Sequence, residues 1–168
     1  MHYRQLQTPD LLIYKDDIYN CYQSNHLILD NQNPIDISSP EGTMEFIEGF
    51  VEAQDSCVLG IFDSKELFLY GLVIFDNIRM GVSTSAEVHI VNDKAIFGKK
   101  LKGLYEQILK ETIFDVIYAQ IPSIATHVAS LCKRLGFKKT GYIPKVLPYT
   151  NSLGEEKMYD IQIWTYGG

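Results

Sequence analysis

At 168 residues, with 46% hydrophobic and 21% charged side chains, the chain has ordinary globular composition and material for one compact unit spanning 1–168, which excludes disorder, a fibrous repeat and a second domain of normal size. Its formal net charge of -6 and pI near 5.1 exclude a general nucleic-acid binder, because neutralising phosphates requires a basic face. No apolar run approaches the roughly 20 residues that cross a bilayer, and Met1-His2-Tyr3-Arg4-Gln5 opens no basic-then-apolar leader, so a cytoplasmic protein without nucleic-acid or membrane partners is expected.

In chain order, a strand near His2 to Leu6 ends at Thr8-Pro9-Asp10, and Leu11, Leu12, Tyr14, Ile18, Tyr19 and Tyr22 then recur at the spacing of one helix. Asp30 to Ser39 is rich in turn formers. Ser39-Pro40-Glu41 supplies an N-cap followed by proline at the first helical position, which predicts a second helix running to about Ala53.

Two β-rich runs, Cys57 to Phe62 and Leu67 to Phe75, flank the turn-like Asp63-Ser64-Lys65-Glu66 and predict a hairpin. Ala86 to Val91 alternates in polarity as a third strand. Gly98 to Thr112 places Leu101, Leu104, Tyr105, Ile108 and Leu109 on one helical face. Val116 to Ala119 is a short strand stopping at Pro122, and Ser123 to Leu135 is a helix whose end is marked by Gly136. Thr140 to Val146, a loop from Pro148 to Gly154, and the alternating Met158 to Trp164 complete the chain. This interleaving predicts one mixed sheet with helices on its faces, an α/β (α+β) class.

Cys21, Cys57 and Cys132 are odd in number and share no paired spacing, and His2, His26, His89 and His127 do not cluster. Neither a disulfide framework nor a metal site is expected, and Cys21 and Cys57 are expected to be reduced and buried.

Gln120-Ile121-Pro122 leads through a helix to Leu131-Cys132-Lys133-Arg134-Leu135-Gly136-Phe137-Lys138-Lys139-Thr140-Gly141-Tyr142-Ile143-Pro144. With the order of elements, this segment resembles the GNAT acyltransferase superfamily, including GNAT-like proteins of bacteria and bacteriophages. The resemblance implies the GNAT acyl-CoA N-acyltransferase fold, with a mixed central sheet of about seven strands flanked by about four helices. It also implies acetyl-CoA as cosubstrate, held where the fourth strand splays from the fifth. The usual spelling of the diphosphate loop is Arg or Gln, two residues, Gly, one residue, then Gly or Ala. Ala95-Ile96-Phe97-Gly98-Lys99-Lys100 keeps Gly98 and departs at both ends.

Lys99, Lys100 and Lys102 crowd the first turn of the following helix, where the macrodipole disfavours cations. They are either a solvated face or the complement of a bound phosphate on the helix's unpaired N–H groups. On this resemblance, Phe97, Gly98, Lys99 and Lys100 bind the cofactor, and Ile90 or Val91 supplies a backbone N–H to the thioester carbonyl. Glu87 and His89, two apart on one strand, share a face; they are general-base candidates, or else the less buried side of an amphipathic strand.

The tyrosine that protonates the departing thiolate in many superfamily members corresponds to Cys132, either a thiol donor or an inert buried cysteine. Ala125 stands near the place of the asparagine that often opens that helix, and Tyr142 is either a substitute donor or core. Two functions follow: an N-acyltransferase acting on the primary amine of a small molecule or protein, or a catalytically degenerate binding or assembly module, for instance phage-associated, with a homo-oligomer or protein partner.

Overall fold

The computed structural model describes residues 1–23, 38–93, 99–150 and 153–167, without the side chains of Lys99 and Tyr149. Its elements are β1 (His2–Gln5), α1 (Thr8–Ile13), α2 (Lys15–Gln23), α3 (Pro40–Glu52), β2 (Cys57–Phe62), β3 (Leu69–Arg79), β4 (Ser85–Asn92), α4 (Lys99–Glu111), β5 (Val116–Pro122), α5 (Thr126–Arg134), β6 (Lys138–Thr150) and β7 (Glu156–Gly167). The strands form one sheet of seven in the order β1-β2-β3-β4-β5-β7-β6. Every neighbouring pair is antiparallel except β4 and β5, which are parallel and are joined through α4, as a parallel pair requires.

Strand alternation sends side chains to two helical layers. Ala86 and Val88 of β4 pack with Leu101, Tyr105, Ile108 and Leu109 of α4 and with Cys132 and Leu135 at α5. Leu72 and Ile74 of β3 and Val91 of β4 pack on the opposite face with Leu11, Ile18, Tyr22 and Ile47 of α1 to α3.

The seven expected strands are present, but five helices are described where about four were expected, because the first predicted helix is broken at Tyr14. The Tyr14 backbone leaves the helical region at φ -105 and ψ 20. Its ring then lies 5.0 Å from that of Phe62, and its hydroxyl donates to the Glu66 carbonyl at 2.8 Å. Periodicity could not register the break, since the apolar spacing continues through it. α2 begins with Asp16 and Asp17 in its first turn, where acidic side chains suit the helix dipole, and Asp17 accepts the Leu69 N–H at 2.9 Å.

The start of α3 is as expected, with Ser39 Oγ accepting the Gly42 N–H at 3.0 Å and Pro40 in the first turn. The β2–β3 turn is longer than expected. The Asp63 carboxylate accepts the N–H groups of Lys65, Leu67 and Phe68, so Leu67 and Phe68 are held in the turn and exposed, and β3 begins at Leu69. Likewise Ser123 to Ala125 precede α5 instead of forming its first turn, and residues 148–150, expected as loop, extend β6. Pro148 is tolerated there because β6 is an edge strand. Gly136 takes φ +94 after α5, and Phe137 is buried 5.3 Å from the Tyr166 ring.

The corner between β1 and α1 is tied by charge. The Arg4 guanidinium donates to both carboxylate oxygens of Asp10, at 2.8 and 2.9 Å, and to Glu66 at 3.1 Å. The hydrogen bond from Arg4 holds the Asp10 carboxyl below its usual range. A depressed carboxyl stabilises the fold above its ordinary range and loses that contribution as pH falls through the folded value. Asp10→Asn is therefore expected to lower stability at pH 7 by about 1 to 2 kcal/mol and to flatten the stability loss between about pH 5 and pH 2. Denaturant midpoints across that range check both effects.

Among the described residues, no helix is long and apolar enough to cross a membrane.

Candidate functional site

The parallel ladder between β4 and β5 holds only Ser85↔Val116, Ala86↔Ile117 and Glu87↔Tyr118. Beyond that point β4 stays paired with β3 as far as Asn92↔Gly71, and β5 stays paired with β7 as far as Pro122↔Ile161. Each strand keeps its outer partner while the inner edges part. Successive N–H groups along a strand alternate in direction, so one of Ile90 and Val91 turns its N–H toward the gap. Backbone groups without a ladder partner call for another polar partner.

Glu87 sits where the ladder ends. Its side chain is only 8% exposed, unusual for a carboxylate. One oxygen, Oε2, accepts from Asn77 Nδ2 at 3.3 Å and from Gln120 Nε2 at 3.1 Å. The other, Oε1, is 3.8 Å from His89 Nε2 on a ring that is 41% exposed. The two residues thus share a face, as their spacing implied, with Glu87 inside and His89 at the rim. Tyr118, opposite Glu87 in the ladder, has its phenol pushed above the ordinary value by burial and, secondarily, by the Glu87 carboxylate.

On the other side of Glu87, Asp76 is its β3 partner. Asp76 borders a groove of about 260 Å³ with Phe46, Gly49, Phe50 and Ala53, and the Phe50 ring lies 6.2 Å from His89. α3 therefore walls the groove with Phe46 and Phe50, and Asp76, the β3 partner of Glu87, borders it.

The remaining sequence-derived candidates are dispersed. Cys132 is buried in the opposite layer, with Ala86, Val88, Leu135 and Phe137, and burial pushes its thiol up to about 11. It is not among the groups gathered at Glu87, which lies on the other face of the sheet. Val91 is buried in the α1–α3 layer, and Ile90 packs toward α4. Lys99 opens α4 and Lys100 is exposed there, with no acidic residue in the first turn. Lys102 is paired at 2.7 Å with Glu106 one turn on. Phe97 and Gly98 lie outside the described residues, as do Ala95, Ile96 and His26. Ala125 caps α5 without a side-chain hydrogen bond, and Tyr142 is exposed, not core.

Sequence reasoning missed the parts played by Asn77, Tyr118, Gln120, Asp76 and Phe50. One signal was available. Gln120 is the single amide in the apolar run Val116 to Ile121. Asn77 gave none, because its role depends on a β3 bulge between Asp76 and Arg79 and on a left-handed φ of +50, a region that asparagine tolerates better than most residues.

Neither a scan of family models nor a search of curated proteins finds a match for this chain. Solved structures do match over nearly its whole length. A ribosomal-protein-S5-alanine acetyltransferase from Vibrio fischeri superposes with a TM-score of 0.71 at 20% identity, covering 99% of this chain and 93% of that one. A spermidine N-acetyltransferase from Vibrio cholerae, in complex with CoA and spermine, superposes with a TM-score of 0.70 at 19% identity, covering 98% and 93%.

Proposed function

For a chain that has the GNAT acyltransferase fold, we propose that the reaction is transfer of an acetyl group from acetyl-CoA to a primary amine, of a small molecule or a protein. The observation that carries this reading is the parting of β4 from β5 directly beyond a buried carboxylate. Backbone donors at the parted edge of β4 and a proton acceptor three or four residues earlier on the same strand would then serve one cleft. The residues suit the cosubstrate. The first N–H groups of α4 have no intrahelical acceptor, the neighbouring cation Lys100 is exposed, and no carboxylate occupies that first turn. The backbone at Lys99 and Lys100, together with Phe97 and Gly98, would hold the diphosphate.

Bound acetyl-CoA supplies the thioester carbonyl. The N–H of Ile90 or Val91 would donate to the oxygen of that carbonyl, where negative charge develops as the amine adds; as the C–N bond forms the C–S bond would break, the thiolate leaving for solvent, which protonates it. An amine reaching the site as an ammonium must first lose a proton, and Glu87 Oε1 is placed to take it, with His89 passing it to solvent at the rim. Asp76 and the faces of Phe46 and Phe50 suit a cationic head on an apolar stem. The neighbours named for spermidine and for a ribosomal protein both act on amines, which supports the acceptor class. Cys132 takes no part in this scheme and serves as core.

The test is calorimetry with acetyl-CoA, followed by thiol release in the presence of spermidine and of an alanyl peptide. Micromolar binding with amine-dependent thiol release is expected. Absence of heat at millimolar acetyl-CoA overturns the proposal.

A further inference from the structure

We infer that Asn77 and Gln120 are positioning residues: their two carboxamides clamp one oxygen of Glu87 so that the other is held for the proton being moved. The catalytic half of this inference rests on the acetyl-transfer reading; the clamp itself rests on geometry. Both amides donate to Oε2, at 3.3 and 3.1 Å, and neither donates to Oε1, which instead lies 3.8 Å from His89 Nε2. The donors arrive from opposite sides, Asn77 from β3 and Gln120 from β5, across the strand that carries Glu87.

The backbone supports each arm in a way that core packing does not require. Gln120 lies two residues beyond Tyr118, where β5 has left β4, so its side chain bridges strands whose backbones no longer pair. Asn77 is held at φ +50 in a bulge, a conformation that persists in a non-glycine residue when surrounding structure demands it. From there its amide reaches Glu87 and, also at 3.3 Å, Asp76. Both side chains are exposed while the carboxylate they hold is buried, so the two amides cover it.

The exposure of both arms makes the test clean. Gln120→Met keeps length and loses the donor; Asn77→Gly loses the donor and suits the left-handed backbone. The carboxyl carbon of Glu87, followed by ¹³C NMR at pH 7 and assigned by its absence in Glu87→Gln, reports the surroundings of the carboxylate in the whole chain and in each variant. Each variant is expected to move that resonance, because the carboxylate loses one of the two amides held against Oε2. It is also expected to lower kcat about tenfold and to leave the Kd for acetyl-CoA unchanged.

An unmoved resonance in both variants overturns the clamp whatever the activity. A moved resonance with unchanged kcat overturns the positioning role. If the wild-type chain transfers no acetyl group, the function proposed above fails by itself, and the resonance still decides the clamp.

Discussion

Glu87→Gln is expected to lower kcat/KM for acetyl transfer by about 10² to 10³-fold while leaving acetyl-CoA binding unchanged, the range that loss of a placed general base produces. The substitution preserves shape. The new amide oxygen can accept from Asn77 and Gln120 as Oε2 does now, so the fold is retained and only the proton acceptor is lost. His89, 41% exposed at the rim, is expected to set the residual rate. The control is Cys132→Ala, which acts in the other layer and is expected to hold the rate within about twofold while costing about 1 kcal/mol of stability. Initial rates of thiol release, with calorimetry for binding, check both. A Glu87→Gln enzyme as active as wild type would remove this carboxylate from the mechanism, and a Cys132→Ala enzyme crippled in kcat alone would return the thiol to it.

Phe62→Ala carries the largest expected effect on stability, about 3 to 5 kcal/mol. The ring is fully buried. It lies 5.9 Å from the His2 ring and 5.0 Å from that of Tyr14, and the Arg4 guanidinium stands 4.6 Å over its face. Truncation leaves a cavity at the junction of β1, β2 and α1, where Gly60 already brings the backbone so close that an added Cβ would meet the ring at 2.7 Å. At about 2 to 4 °C per kcal/mol for a chain of this length, the melting temperature should fall by about 10 °C. The same layer carries Phe46 and Phe50, so the variant is also expected to bind amine acceptors less tightly near its own melting range. A fall of under about 3 °C in a thermal melt would mean that the corner closes over the missing ring.

The course of the chain was largely legible because its signals are local. Ser39 followed by Pro40 marks a helix start through one hydrogen bond and one fixed dihedral, and Gly136 marks a helix end through the single φ that it alone adopts easily. Alternation along Ala86 to Val91 placed Glu87 and His89 on one face, and they are found there. The misplaced boundaries have a common cause, a side chain or partner remote in sequence. Tyr14 breaks the first helix by reaching Phe62 and Glu66, Asp63 keeps Leu67 and Phe68 out of the ladder, and Thr150 joins β6 because Glu156 faces it across the hairpin.

The candidate site was legible in type but not in assembly. A carboxylate and a histidine two apart announce a shared face, but which of the two is buried depends on the helices that cover that face. Cys132 was matched by its place after Leu131, yet its direction is set by α5 packing, which turns it into the core. Gln120 and Asn77 come from strands that adjoin β4 only in the folded sheet, 33 and 10 residues from Glu87 along the chain.

Sequence alone thus determined the order of the strands and of every helix but the divided first one, the faces of β4 and the acidic character of the chain, since each depends on composition or on neighbours a few residues apart. Tertiary structure alone decided where β4 and β5 part, which oxygen of Glu87 is held and which is left open, and that Cys132 lies apart from both. Those outcomes arise from partners remote in sequence: β4 keeps β3 and β5 keeps β7, amides from β3 and β5 flank Glu87, α5 packs Cys132 into its own layer, and no short stretch of residues contains all of these partners.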